Sequence, residues 1–157
     1  VDRFMLKVFL GYPTKEEERQ IIRSNVSKEG LSKINPVIKA DDIQRCRALV
    51  KEVYLDEKIE QYIVDIVFAT REPERYGLGF LTPMISIGCS PRASINLALA
   101  GKAHAFLQGR AFVIPEDIRE IAPDVLRHRM GLTYEAEAED ISASDIVTKI
   151  LNKVEVP

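Results

Sequence analysis

The chain has 157 residues, enough for one domain with a buried hydrophobic core. Hydrophobic residues make up 46%, charged residues 29%, and the formal net charge is −2, which excludes a broadly polycationic surface and makes any anion site local. No apolar run reaches the ~18 residues of a transmembrane helix.

The two cysteines, Cys46 and Cys89, stand 43 positions apart and lack metal-ligand spacing. One disulfide stays open, but the apolar neighbours of Cys46 favour reduced thiols in a cytoplasmic protein. The chain begins at Val1 rather than at methionine, so we expect it to be a piece of a longer protein.

The first predicted element is a buried strand at residues 4–10, FMLKVFL, because it is short, apolar and aromatic. Residues 11–13, Gly-Tyr-Pro, predict a turn after it. A helix follows from Thr14 to about Val26, since Thr14 and Glu17 form a T-x-x-E capping box.

Two amphipathic helices are predicted next, starting at Asp41 or Asp42 and at Asp56. Their expected inward residues are Ile43, Cys46, Leu49, Val50 and Val53 in one, and Ile59, Ile63, Ile66 and Val67 in the other. A loop rich in Gly and Pro follows at residues 73–88, and its length and apolar content indicate a functional loop or one packed on a partner.

The longest predicted helix runs from Pro91 to about Gln108, with Ile95, Ala98, Leu99 and Phe106 expected to face inward. A further helix starts at Pro115, and Pro123 is expected to kink or split it.

A small strand is expected at residues 132–134, and Ser142 or Ser144 should cap a last helix. The predicted fold is therefore mainly α, a helical bundle with a short N-terminal β-strand arm.

The start of the longest helix, Gly88-Cys89-Ser90-Pro91-Arg92-Ala93-Ser94, is the most informative stretch. Ser90 suits the N-cap and Pro91 the first helical position, which puts Arg92 on the exposed first turn. A helix N-terminus attracts anions and an arginine binds phosphate oxygens bidentately, so we predict a phosphate contact. The alternative is a well-capped core helix whose Arg92 pairs with a surface acid.

Five motifs occur in a fixed order: residues 2–4 (Asp-Arg-Phe), 11–13, 88–94, 115–117 (Pro-Glu-Asp) and 125–129 (Val-Leu-Arg-His-Arg). Together they resemble the carboxy-terminal part of a MoxR-family AAA+ ATPase, over essentially the whole chain. Val1 stands where leucine is usual in that family, and Cys89 where alanine is usual.

The resemblance implies that residues 1–13 hold the arginine finger, the last strand of the nucleotide-binding core and a hinge, and that residues 14–157 form the helical lid domain. Arg92 would be the sensor 2 residue, reaching the γ-phosphate of ATP in the same subunit. Arg3 would be the arginine finger, reaching the ATP of a neighbour; the alternative is a solubilising charge. Ser90, Pro91, Tyr12 and Pro13 are expected beside the nucleotide.

The implied cofactor is ATP with Mg²⁺ in the parent protein. The implied partners are further copies in a homo-oligomeric ring, with a hexamer expected, together with von Willebrand factor A-domain proteins and client complexes whose maturation or metal-cofactor insertion the ring assists. The chain has no G-x-x-x-x-G-K-[ST] pattern, so we expect the phosphate cradle outside it and no ATP hydrolysis by the chain alone.

Two alternative functions stay open. A chelatase-type AAA+ motor shares this lid style, and a helical nucleic-acid-binding or adaptor module is the alternative outside the ATPases. His104 and His128 lack zinc spacing and are expected to be packed or surface side chains, with no metal site and no catalytic role for Cys89. Without its sheet, the strand at 4–10 should fray, fold back on the lid or pair with another copy.

Overall fold

The computed structural model describes residues 2–26 and 34–157. The chain forms two compact units, one made of the residues up to Lys7 together with Ala48–Pro157, and the other of Val8–Arg47. Within the described ranges, no helix is both long enough and apolar enough to cross a membrane.

The unit at Val8–Arg47 contains α1 (Lys15–Val26) and most of α2 (Ala40–Glu52). The predicted capping box forms, since the Glu17 N–H donates to Thr14 Oγ1 (3.3 Å) and the Thr14 N–H donates to Glu17 Oε2 (2.7 Å). The inward face predicted for α2 is only partly right: Val53, just after the helix, is buried and Val50 is partly buried, but the other three residues are not. Cys46 is exposed, and Ile43 and Leu49 are about half exposed.

The larger unit holds the remaining elements in chain order. They are α3 (Glu57–Ala69), two short 3-10 helices (Pro73–Tyr76 and Gly79–Met84), β1 (Ile85–Ile87), α4 (Pro91–Leu107), α5 (Pro115–Leu126), β2 (Gly131–Leu132), α6 (Tyr134–Ala138) and α7 (Ala143–Lys153). Asp56 caps α3 by accepting from the Lys58 N–H, and Ser142 caps α7, as the sequence predicts.

The core of this unit lies between α3, α4, α5 and α7. Its members from these helices are Ile59, Tyr62, Ile63, Ile66, Val67 and Ala69; Ala93, Leu97, Ala100 and Ala105; Ile118, Ala122, Val125 and Leu126; and Ile146, Val147, Ile150 and Leu151. The segment predicted as a loop at residues 73–88 packs in part on the chain's own core, because Leu78 and Leu81 are buried there.

A two-stranded antiparallel sheet joins β1 to β2, with Ile85 opposite Leu132 and Ile87 opposite Gly131. The small strand predicted at 132–134 therefore lies slightly earlier in the chain. Thr133 instead caps α6, its hydroxyl accepting from the Ala136 N–H.

The strand predicted at residues 4–10 does not form: among the described residues, these have no sheet partner. A strand needs a neighbour for its backbone groups. Up to Lys7, the segment instead folds back on the helices of the larger unit, where the Lys7 N–H donates to the Asp124 carbonyl (2.8 Å). Of the three fates expected for this segment, folding back is the one that residues 2–7 adopt.

Two predictions within the long helices are also corrected. Pro123 does not split α5, which continues to Leu126. A proline inside a helix removes one i→i−4 hydrogen bond, and the bonds on either side hold α5 together here. In α4, Ala98 and Phe106 pack against the core as predicted, but Ile95 and Leu99 are 57% and 48% exposed. The true buried face consists mostly of small residues: Ala93, Leu97, Ala100, Gly101 and Ala105.

Gly101 marks the close approach of α4 to α5. A Cβ at this position would lie 2.6 Å from Ile118 Cδ1 and 3.6 Å from Val113 Cγ1. Replacing Gly101 by Leu should therefore overpack the core and lower the free energy of unfolding by about 1–3 kcal/mol. Urea denaturation measures this, with Ala103→Leu on the partly exposed side of the same helix as the control. Equal stability of the two variants would contradict the packing described.

Candidate functional site

The start of α4 is fixed by a close backbone contact with the end of α3. A Cβ on Gly88 would lie 2.6 Å from the Thr70 carbonyl oxygen, so this approach requires glycine. The Cys89 N–H donates to Thr70 Oγ1 (2.9 Å), and Arg71 Nε donates to the Cys89 carbonyl (2.6 Å). These bonds set the direction in which α4 leaves the core.

The first residues of α4 occupy the positions that the sequence predicts. Ser90 has extended N-cap geometry (φ −75, ψ 168), Pro91 is the first helical residue and Arg92 follows. The side chain of Arg92 is 56% exposed. The Ser90 hydroxyl makes no capping bond to the helix, however; it is bound elsewhere.

An anionic group already lies at this helix start: the carboxylate of Asp2. The Ser90 hydroxyl donates to both of its oxygens (3.2 Å each), and Arg92 Nη1 donates to Oδ2 (3.1 Å). Burial raises the pKa of Asp2, but the bonds from Arg92 and Ser90 and the charge of Arg129 outweigh it and hold the pKa below its usual value. Arg92 thus does pair with an acid, as the alternative predicted, although the acid comes from the N-terminal segment.

Arg129 holds the N-terminal segment, residues 2–5, in place. Its side chain is fully buried, and Nε lies 3.3 Å from Asp2 Oδ1. The guanidinium donates to the carbonyl oxygens of Asp2 (3.1 Å), Met5 (3.1 Å), Phe4 and Val125. His128 Nε2 also donates to the Phe4 carbonyl (2.9 Å). Residues 2–5 are therefore tied to the C-terminal end of α5 mainly by one buried arginine.

Neither Asp2 nor Arg129 was predicted as part of the site. A signal for Arg129 exists in the sequence, since it continues the buried spacing of Ile118, Ala122 and Val125 beyond the end of α5. An arginine at such a position must find partners inside the protein. For Asp2 no local signal exists, because its side-chain partners are far away in the sequence: Ser90 is 88 residues from it and Arg92 is 90 residues from it.

The other predicted site residues are placed as follows. Arg3 is exposed and makes no ion pair or hydrogen bond with the part of the chain that the structure describes. Tyr12 and Pro13 belong to the Val8–Arg47 unit, where Tyr12 is fully exposed and both residues line a shallow groove with Glu17 and Ile21. The structure brings together Ser90, Pro91 and Arg92.

Cys89, next to this helix start, is a buried thiol. Burial raises its pKa to about 11, against the smaller opposing effects of the Thr70 hydrogen bond and of Arg129. The stabilised thiolate that a helix N-terminus could favour is therefore not present at neutral pH.

A second polar cluster lies at the start of α5, around the buried carboxylate of Asp117. Arg110 donates to it twice (2.7 and 2.5 Å), His104 Nδ1 donates at 2.7 Å and the Ile114 N–H at 2.9 Å. Burial raises the pKa of Asp117, but these bonds outweigh it and lower the pKa to about 2. These bonds join the Arg110 loop and α4 to the start of α5, so the cluster is structural, and His104 is a packed side chain as predicted.

No group of three or more His, Cys, Asp or Glu side chains that could hold a metal ion occurs in residues 2–26 and 34–157.

The chain is similar in sequence and in structure to several known proteins. A family model for the AAA lid domain matches residues 81–150, which include the start of α4. The chain is 38% identical, over 99% of its length, to the chaperone MoxR1 of Mycobacterium tuberculosis, of which it covers 41%. It is also 38% identical over its whole length to the uncharacterized protein YeaC of Bacillus subtilis, of which it covers 46%.

Among solved structures, a candidate ATPase from Cytophaga hutchinsonii superposes with a TM-score of 0.93. The two are 42% identical, and the match covers 99% of this chain and 47% of that one. The chain thus spans less than half the length of each of these three proteins.

Proposed function

Since the chain belongs to the MoxR family of AAA+ proteins and carries an AAA lid domain, we propose that it closes over ATP bound by a nucleotide-binding core. Arg92 is the sensor 2 residue and binds the γ-phosphate in its own subunit. Arg3 is the arginine finger and binds the ATP of a neighbouring subunit.

One observation carries this proposal: an anionic group is already bound where the phosphate is expected. The carboxylate of Asp2 is held by the Ser90 hydroxyl and by Arg92 Nη1 at the start of α4. A phosphate oxygen has the same charge and accepts the same hydrogen bonds, so this donor set suits a phosphoryl group. Arg92 Nη1 is its only donor bound within the described residues, so its other N–H groups are available to a second anion.

The chemistry expected of the two arginines is electrostatic. ATP with Mg²⁺ supplies the phosphoryl group that is transferred to water. Arg92 and Arg3 keep their charge at any physiological pH and stabilise the negative charge that develops on that group. The exposure of Arg3 supports a role at a subunit boundary, because a finger residue must reach outside its own subunit.

At the level of the whole protein, we propose a homo-oligomeric ring, a hexamer, that uses ATP hydrolysis for chaperone-like work on other proteins. Its clients are protein complexes that need maturation or a metal cofactor, and its partners include von Willebrand factor A-domain proteins. The name of the M. tuberculosis relative, a chaperone, supports the general direction of this proposal.

Mixed rings test the two arginine roles separately in the full-length protein. Arg3→Ala subunits are combined with subunits whose Walker A lysine is replaced, and ATP turnover is compared with that of each parent. A mutant Arg3 subunit keeps an intact nucleotide site, so a Walker-dead neighbour with a normal Arg3 restores part of its turnover. Arg92→Ala subunits should gain nothing from the same mixing, since sensor 2 acts on the ATP of its own subunit.

Rescue of both variants, or of neither, would contradict the assignment of one residue to each side of the boundary. Near wild-type turnover of both single variants would remove the two roles altogether.

A further inference from the structure

We infer that Asp2 is a positioning residue that aims Arg92 and links its position to that of Arg3; this inference rests on the proposed function. The chain places Asp2 and Arg3 next to each other in sequence, while the Asp2 carboxylate contacts Arg92 at 3.1 Å. A residue that touches one functional arginine and adjoins the other couples them mechanically.

Asp2 orients Arg92 without cancelling its charge. The carboxylate is shared between two guanidinium groups, at 3.1 Å from Arg92 and 3.3 Å from Arg129, so the three side chains together keep one excess positive charge. The site therefore still attracts an anion. The bond from Nη1 restricts the orientations of the guanidinium, which reduces the rotamer freedom that Arg92 would lose on binding phosphate.

Asp2 itself is held rigidly. Arg129 donates to the carbonyl oxygens of Asp2, Phe4 and Met5, and this guanidinium is fully buried. Arg3 lies between two of these anchored residues, with its own side chain exposed. Since the backbone on both sides of Arg3 is tied to Arg129, displacing Arg3 must strain or move Asp2.

The consequence is a connection, running through one subunit, between the nucleotide site of that subunit and the nucleotide site of its neighbour. Contact of Arg3 with a neighbour's ATP moves or holds the segment that carries Asp2, and Asp2 in turn sets the direction of Arg92. Loss of the Asp2 carboxylate should leave both arginines in place but remove the connection between them.

Nucleotide affinity tests the inference without turnover. In the full-length protein, Asp2→Asn should weaken binding of a fluorescent, non-hydrolysable ATP analogue by about tenfold. Binding of the corresponding ADP analogue should change by less than about twofold, because Arg92 is assigned to the γ-phosphate. Asp2→Glu keeps the charge and should retain part of the affinity.

A double-mutant cycle shows whether Asp2 acts through Arg92. In an Arg92→Ala background, Asp2→Asn should change ATP-analogue affinity by less than about twofold. Asp124→Asn is the matched control: this carboxylate pairs with Arg127 in the same region and has no contact with Arg92. Its affinity should equal that of the wild type, and thermal unfolding checks that each variant is folded.

Tighter ATP-analogue binding by Asp2→Asn would overturn the inference, because it would show that Asp2 competes with phosphate. Equal weakening of ATP and ADP analogues, or full additivity in the cycle, would overturn it as well. If Arg92→Ala weakens ATP binding and Asp2→Asn does not, only the inference is lost. If Arg92→Ala has no effect, the proposed function is lost with it.

Discussion

ATP turnover by the full-length protein should fall about 10³-fold or more when Arg92 is replaced by alanine, the range seen when an arginine at a transferring phosphate is removed. The reason is that, among the described residues, Arg92 is the exposed cation at the anion position of α4, where the Ser90 hydroxyl also donates and Arg129 is fully buried. A hydroxyl carries no charge and cannot replace a guanidinium. Steady-state phosphate release measures the loss.

Two variants make this measurement specific. Arg92→Lys keeps the positive charge but loses the planar set of guanidinium N–H donors that can bind two oxygens at once. This variant should recover only a small part of the activity. Arg75→Ala removes another exposed arginine that also has one carboxylate partner, Glu72 at 2.8 Å; its turnover should be unchanged. A loss of similar size in Arg75→Ala would point to a general effect of surface charge instead of a role for Arg92.

Replacing Asp117 by alanine should lower the free energy of unfolding by about 3 kcal/mol. The carboxylate is 1% exposed and accepts from Arg110, from His104 and from the Ile114 N–H. Removal of one partner of a buried ion pair leaves the other without compensation and also removes the cap of α5. Urea denaturation at neutral pH measures this loss.

Asp145 provides the control, since it caps α7 in the same way by accepting from the Ser142 N–H at an exposed position. Asp145→Ala should cost clearly less than Asp117→Ala. A similar cost for both would show that capping, and not the buried ion pair, accounts for the effect.

The same carboxylate predicts a pH dependence. The pKa of Asp117 is about 2 in the folded chain, against an ordinary value of 3.8. A lowered pKa means that the stabilisation is complete above the ordinary value and is lost as pH falls through the folded value. The lowered pKa of Asp117 contributes about 2 kcal/mol to the free energy of unfolding, and this contribution is lost as the pH falls from about 4 to about 2. The stability of Asp117→Ala should lack this part of the acid transition.

The sequence predicts the helices of this chain better than the faces they bury. Capping residues act locally, so Thr14, Asp56 and Ser142 mark three helix starts correctly. In α4, hydrophobicity predicts that the large residues Ile95 and Leu99 are buried, but both are about half exposed. The helix instead packs against α5 near Gly101, where there is little space for a side chain. Only the tertiary contact of Gly101 with Ile118 shows this.

Only the part of the candidate site that lies on α4 was predicted from the sequence. Ser90, Pro91 and Arg92 are contiguous and adopt the predicted positions at the start of α4. Asp2 and Arg129 complete the arrangement from distant parts of the chain, and no local pattern connects them with Arg92. The nucleotide roles of all the predicted site residues stay predictions, because each depends on contact with a nucleotide: Arg3, Tyr12, Pro13, Ser90, Pro91 and Arg92.

The small-residue face of α4 has a mechanical consequence. Since a methyl group on Gly101 would lie 2.6 Å from Ile118 Cδ1, α4 cannot turn or slide to bring a larger residue to this position unless Ile118 also moves. Any movement of Arg92 relative to α5 is therefore expected to disturb the packing between these two helices.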